Sequence, residues 1–198
     1  LARSCGGVGG DRIPHTDRTA GLVRELLVKL DSADVFSARR EEEIKAAKSL
    51  LPGDADIDRF SQYFRIAKLY SKYRLDSAFV WLDKAIGLAR ETSRDSLCYI
   101  AEFAMADILS TSGFAVEARE VLELIPRSAM SGALLTSYYY SWAEHYHYLY
   151  NSPYEPVEHK VKYRAKYAVY RDSLLSTLDT TDAVYLRNVE RIYARAGN

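Results

Sequence analysis

Proline and glycine are placed in this chain so that almost none of them interrupts a helix. Four of the ten glycines (Gly6, Gly7, Gly9 and Gly10) fall in the first ten residues, and Pro14 follows. Beyond that leader, most breakers stand at isolated points: Pro52-Gly53, Gly113, Pro126 and Asn151-Ser152-Pro153. A glycine costs a helix interior about 1 kcal/mol and a proline about 3 kcal/mol, so breakers gathered at points leave long helices between them. The intervening segments are rich in Ala, Leu, Glu, Lys and Arg and sparse in Val and Ile, which favours the same state.

Apolar periodicity supplies the helices. Leu22, Leu26, Leu30, Ile44, Ala47 and Leu51 recur at helical spacing before Pro52-Gly53. In the same stretch Arg39, Arg40, Glu41, Glu42, Glu43 and Lys45 make a mixed-charge face suited to i,i+4 pairing. Further helices are expected over about 58–73, 76–91, 96–112, 115–125, 132–150, 155–178 and 182–196. Helix, short turn, helix throughout is the pattern of antiparallel helix pairs. The expected division is a flexible leader over 1–18, a helical extension over 19–53 and repeats over 54–198.

The pairs repeat. Ala106, Leu109, Gly113, Ala118, Leu122 and Ile125 set a small and a large apolar residue on one helix, glycine at the turn, and small then large residues on the next. This resembles the tetratricopeptide pattern, in which small residues let paired helices approach and large ones fill the groove between pairs. Ala67, Tyr70, Ala78, Leu82 and Ala85 follow the same register, with Lys72-Tyr73-Arg74-Leu75 at the turn. Trp142, Ala143 and Tyr146, with Ala165 and Tyr170, make a looser third unit, displaced by the loop from Asn151 to Pro156. Successive units begin 39 and 37 residues apart (Ala67, Ala106, Ala143), beyond the usual period of about 34. The excess is expected in the loops between pairs. The fold class is therefore all-α: a short tetratricopeptide-like solenoid with an N-terminal helical extension.

Residues 22–196 carry a more specific likeness. The Leu26–Leu51 segment with its Arg-Arg-Glu-Glu-Glu-Ile-Lys run precedes a Tyr-rich helix, then Leu75-Asp76-Ser77-Ala78, Ser112-Gly113-Phe114 and Tyr170-Arg171-Asp172-Ser173-Leu174-Leu175. Together they resemble the exported N-terminal sensor region of an uncharacterised bacterial family of membrane-linked transcriptional regulators. The resemblance implies a periplasmic or membrane-associated extracytoplasmic place, with a cytoplasmic one as the alternative. It also implies a membrane helix and a DNA-binding end that these 198 residues do not contain.

Charge and cysteine content narrow the partners. Lys+Arg and Asp+Glu are equal at 27 each, whereas nucleic-acid surfaces carry a basic excess, so no nucleic acid is expected on this region. No apolar run reaches the ~18 residues a membrane helix needs, so any membrane link runs through a segment absent here. The chain starts at Leu1 rather than Met, the mark of a processed or trimmed product. Leu1-Ala2-Arg3-Ser4-Cys5 bears a loose likeness to a lipoprotein cleavage site, which leaves lipidation of Cys5 open. Cys98 lies in a helical pattern, as a small buried hydrophobe does; a bridge between Cys5 and Cys98 is the minor alternative.

Catalytic signatures are missing from the sequence. The glycines of the leader have no strand before them and no helix pattern immediately behind, unlike a phosphate loop. Glu144, His145 and His147 are the one cluster with ligand chemistry. His145 and His147 splay by about 200° on a helix, while Glu144 and His147 share a face at i,i+3. No second liganding pair accompanies them. Neither a metal, nor a cofactor, nor an enzyme activity is expected, and a centre at Glu144 and His147 is the least favoured reading.

Tyrosine is the compositional oddity, at 16 of 198 residues. Ten lie between Tyr138 and Tyr170, and Tyr138, Tyr139 and Tyr140 are consecutive. Three consecutive helical positions sweep about 200°, so they cannot all face the core. Packing between helices is the plain explanation; an aromatic binding surface is the functional one. In the tetratricopeptide register the first helix of each pair lines a concave groove. The positions are Phe64, Lys68 and Lys72, then Phe103, Asp107 and Thr111, then Tyr140, Glu144, His147 and Tyr148. The expected partner is a protein or peptide laid along an aromatic row, Phe64-Phe103-Tyr140, flanked by charge. Homo-oligomerisation of a structural scaffold is the alternative, and the segment from Leu22 to Leu51 is long enough to fill the groove itself.

Overall fold

A computed structural model describes residues 17–31, 33–50 and 56–195. The leader, with Cys5 and the expectations of its lipidation or pairing with Cys98, and the Pro52-Gly53 stop lie outside the described residues. The helices are α1 (Asp17–Asp31), α2 (Ala33–Ser49), α3 (Asp56–Tyr70), α4 (Leu75–Glu91), α5 (Asp95–Thr111), α6 (Ala115–Leu124), α7 (Gly132–Asn151), α8 (Val157–Leu175) and α9 (Ala183–Arg195). One 3₁₀ turn, Arg127–Ala129, joins α6 to α7. No strand occurs among the described residues.

Two compact units divide the chain, Leu1–Glu43 and Ile44–Asn198. In the first, Leu22, Val23, Leu26, Leu27 and Leu30 of α1 are all exposed. The mixed-charge face of α2 forms the expected local pairs, Arg39–Glu43 at 3.6 Å and Arg40–Glu43 at 3.2 Å. Such exposed pairs contribute tenths of a kcal/mol. The stripe expected to run from Leu22 to Leu51 does not act as one face. Its first three leucines are exposed, whereas Ile44 and Ala47 are 1% exposed in the core of the second unit.

Within the second unit, α3 packs on α4, α4 on α5, α5 on both α6 and α7, and α7 on α8. The first pair meets through alanines. Ala67, Ala78 and Ala85 are fully buried, and Ile66, Leu82 and Tyr70 fill the space around them. Alanine at the crossing lets the axes approach, and each large apolar side chain buried beside it contributes about 1.5–3 kcal/mol. The second pair repeats the arrangement with Ala106, Ala118, Leu122 and Ile125, all buried.

The corners after α4 and α5 share one backbone device. After α5, Gly113 has φ +89°, its N–H donates to the Ser110 carbonyl at 3.4 Å, and the Phe114 N–H donates to the Leu109 carbonyl at 2.9 Å. This is the Schellman arrangement, which satisfies the last carbonyls of a helix and calls for a left-handed residue. After α4 the same bonds recur, Ser93 N–H to Arg90 carbonyl at 3.0 Å and Arg94 N–H to Ala89 carbonyl at 2.8 Å. Here Ser93 occupies the left-handed position, at φ 51°. Only residues 92–94 separate α4 from α5, so the long spacing between the first two units resides in helices of 17 residues, not in a longer loop. Between α6 and α7 the connection is longer, as expected, and it holds the 3₁₀ turn.

The third pair departs from the expected register. Ala165 is exposed; Tyr167 and Leu174 are the side chains of α8 that become buried, each 1% exposed. Aromatic wedges replace the alanine contact. Trp142 stacks on Tyr146 and Tyr170 with ring centres 5.6 and 5.4 Å apart, and Tyr146 stacks on Tyr163. Rings of this bulk set where α8 can lie, and small residues on α8 then fall outside the contact. The final helix, α9, buries Asn188, whose Nδ2 donates to the Val184 carbonyl and whose Oδ1 accepts from the Tyr167 hydroxyl at 3.3 Å.

Candidate functional site

The first helices of the three pairs bring most of the expected groove residues into one electrostatic neighbourhood. Lys68 and Lys72 stand exposed at the end of α3 and just beyond it. Asp107 on α5 is also exposed at its edge, yet the protein around it desolvates the carboxyl and raises its pKa. The charge of Glu144 on α7 pushes the same way, and Lys72 and Lys68 oppose it. Tyr140 is half-buried; burial, then Glu144 and Asp107, raise its hydroxyl, while Arg187 lowers it. Tyr148, exposed one turn from Glu144, responds to Asp107, Glu144 and Arg191, though burial is the largest cause of its raised pKa. Charge therefore alternates across this face: lysines from α3, carboxylates from α5 and α7, arginines from α9.

Other members are engaged within the fold. Phe103 does not extend an open aromatic row. It is 5% exposed and meets Tyr138 edge-on at 6.4 Å, because its position on α5 points at α7 rather than along the groove. Phe64 stacks on Phe60 at 5.9 Å, with the Lys68 ammonium 4.7 Å from its ring centre. The Thr111 hydroxyl donates to the Asp107 and Ile108 carbonyls of its own helix. His147 is packed among the rings of Tyr148, Tyr150 and Tyr167, and its Nδ1 is 4.0 Å from Glu144 Oε2.

Glu144 is 6% exposed and accepts a hydrogen bond from Arg191 Nη1 at 2.7 Å. Burial disfavours the Arg191 charge, but Glu144 and then Tyr167, each by hydrogen bond and charge, together outweigh it and the guanidinium pKa rises. Among the described residues no group of three or more His, Cys, Asp or Glu side chains is gathered for a cation. Arg187, Arg191 and Asn188 were not among the residues expected from the sequence to build the site. The i,i+4 spacing of the two arginines was the available signal, since it puts both on one face.

A family model described as the SusR N-terminal TPR domain matches residues 30–198. The chain belongs to that family. The match spans every helix pair described above and starts within α1. It agrees with the resemblance drawn from the residues and with the all-helical, paired architecture. No curated protein and no solved structure matches the chain. A tetratricopeptide domain is a protein-interaction module, generally without catalysis of its own. No described helix is long and apolar enough to cross a membrane.

Proposed function

We propose that this domain binds an extended protein or peptide segment along the face built by α3, α5 and α7, and that it acts as the extracytoplasmic sensor part of a membrane-linked regulator. The observation that carries the binding reading is the alternation of charge on that face around one half-buried and one exposed phenol, Tyr140 and Tyr148. Lys68 and Lys72 act on Asp107 through space, Asp107 acts on both Tyr140 and Tyr148, and Arg187 acts on Tyr140. Tyrosine offers large contact area at small entropic cost, and alternating charge fixes the register of an extended chain. Within the expected set, Lys68, Lys72, Asp107, Tyr140 and Tyr148 make the contacts, while Phe64, Phe103, Thr111, Glu144 and His147 support the face from beneath or beside it. The sensor role and its location rest on family membership.

A phage-displayed library of unstructured peptides, selected on the wild-type chain, tests the reading. Selected peptides are expected to bind an Asp107→Lys/Lys72→Glu variant at least tenfold more weakly, at unchanged thermal stability. Equal binding to both proteins sinks the reading. Sedimentation over a concentration range belongs beside it: a wild type that dimerises through Tyr140 and Tyr148 favours the self-association scaffold instead.

A further inference from the structure

His145 lies next to Glu144 in sequence but faces a different part of the molecule. It is 1% exposed, and its Nδ1 is 3.1 Å from the Ser110 hydroxyl of α5. Its other ring nitrogen, Nε2, is buried and has no hydrogen-bond partner among the described residues. A buried polar atom without a partner costs about 1–3 kcal/mol, so its surroundings call for an account. Two cavities, of about 190 Å³ and 100 Å³, open against this imidazole and share His145, Ala115, Leu149 and Glu155 as walls.

The polarity of the smaller cavity is specific. Arg119 of α6 and Lys166 of α8 line it together with Tyr146 and Tyr163. Both cations act on His145 through space and, after burial, hold its pKa down at about 4, so the ring is neutral at pH 7. The Ser110–His145 contact is compatible with either ring tautomer. With the Ser110 hydroxyl as the donor to Nδ1, the proton of the neutral ring sits on Nε2 and makes it a donor, and this is the tautomer the proposal takes. Lys166 already donates to the Tyr146 hydroxyl at 3.2 Å, a neutral acceptor that leaves its charge uncompensated. Arg119 faces Glu123 on the exposed surface of α6 at 3.6 Å. Glu155 is the carboxylate of the site, and its Oε2 faces His159 Nδ1 at 3.3 Å.

We propose that this cavity binds a small oxyanion, a carboxylate or phosphate group, between His145 Nε2–H, Arg119 and Lys166. One buried neutral donor with two cations at the mouth is the complement of an anionic oxygen. Glu155 limits the charge accepted and orients any cationic end of the ligand away from Arg119. The site is built by α6, α7 and α8, apart from the charged face of α3, α5 and α7, and does not depend on a peptide binding there.

Imidazole-detected NMR of the full chain tests this, with inorganic phosphate, acetate and uncharged acetamide as probes. Phosphate or acetate at millimolar concentration is expected to shift the His145 Nε2–H resonance saturably, and acetamide is not. Arg119→Ala alters an exposed side chain and is expected to weaken binding about tenfold with unchanged melting temperature; Lys166→Gln, which keeps a donor for the Tyr146 hydroxyl, is expected to weaken it similarly. His145→Gln keeps a donor in the cavity and is expected to retain part of the binding that His145→Leu abolishes. Saturation by acetate but not phosphate assigns the site to carboxylates, and the reverse to phosphates. The proposal is overturned if no anion shifts His145, if acetamide binds as well as acetate, or if binding is indifferent to Arg119 and Lys166.

Discussion

The first and third helix pairs solve the same packing problem with different chemistry. Between α3 and α4 the crossing is made of Ala67, Ala78 and Ala85, and the surrounding buried side chains are almost wholly apolar. Between α7 and α8 it is made of Trp142, Tyr146, Tyr163, Tyr167 and Tyr170. Alanine brings no polar atoms into a core. Tyrosine brings a hydroxyl with every ring, and the spacing its ring imposes leaves room for Glu144, His145 and Asn188, all buried. Buried polar groups require partners. The third pair thus buries a larger polar network than the first, where the buried Tyr70 hydroxyl accepts from Lys48 Nζ at 2.9 Å, and both candidate binding features touch the larger network.

The largest expected effect tests whether the wedge holds the third pair. Trp142→Ala should cost about 3–5 kcal/mol by chemical denaturation, against about 2–5 kcal/mol for Leu82→Ala in the first pair, with tryptophan the larger loss. A smaller loss for tryptophan than for leucine would break the contrast. Next comes the buried ion pair. Glu144→Gln leaves the Arg191 charge uncompensated and should cost about 3 kcal/mol, and adding Arg191→Met should recover part of that loss. Strict additivity in this double-mutant cycle would mean that the pair is not coupled.

A third test uses pH. His145 has a folded-state pKa of about 4, below its ordinary 6.5. Its contribution is therefore fully present above pH 6.5 and is lost as pH falls toward 4, because the unfolded chain takes up the proton first. The loss amounts to about 3 kcal/mol at most. Asp107, whose pKa is raised chiefly by burial, works in the opposite direction. The informative measurement is the difference in stability between wild type and His145→Gln from pH 7 to pH 4, which should shrink with acid. A constant difference would mean that His145 titrates normally.

The helix boundaries and the first two pairs were legible because they rest on local rules: breakers at ends and small residues at fixed spacing. The register of α8 was not. Ala165 fits the repeat pattern, but the position of α8 is decided by rings on α7, and volume across an interface leaves no periodic trace. The groove was read in the same partial way. Lys68, Lys72 and Asp107 follow from register alone, whereas the burial of Phe103 depends on Tyr138, thirty-five residues on. The Schellman corner after α5 was readable from Gly113, while its twin after α4 was hidden by a serine. The smallest expected effect follows from that twin. Ser93→Gly should raise stability by about 1 kcal/mol in thermal unfolding, since glycine occupies the left-handed region without steric penalty. Gly113→Ala should lower it by a similar amount, and equal responses at the two corners would remove the distinction.

The Ser110–His145 contact joins the first helices of two successive pairs across 35 residues of chain. A helix pair closes through short loops on the microsecond scale, but this contact waits until both pairs have formed and docked. Ser110→Ala should therefore leave the refolding rate nearly unchanged and accelerate unfolding. In kinetic terms the hydroxyl is a latch on the finished stack, fastened after the structure it secures is already in place.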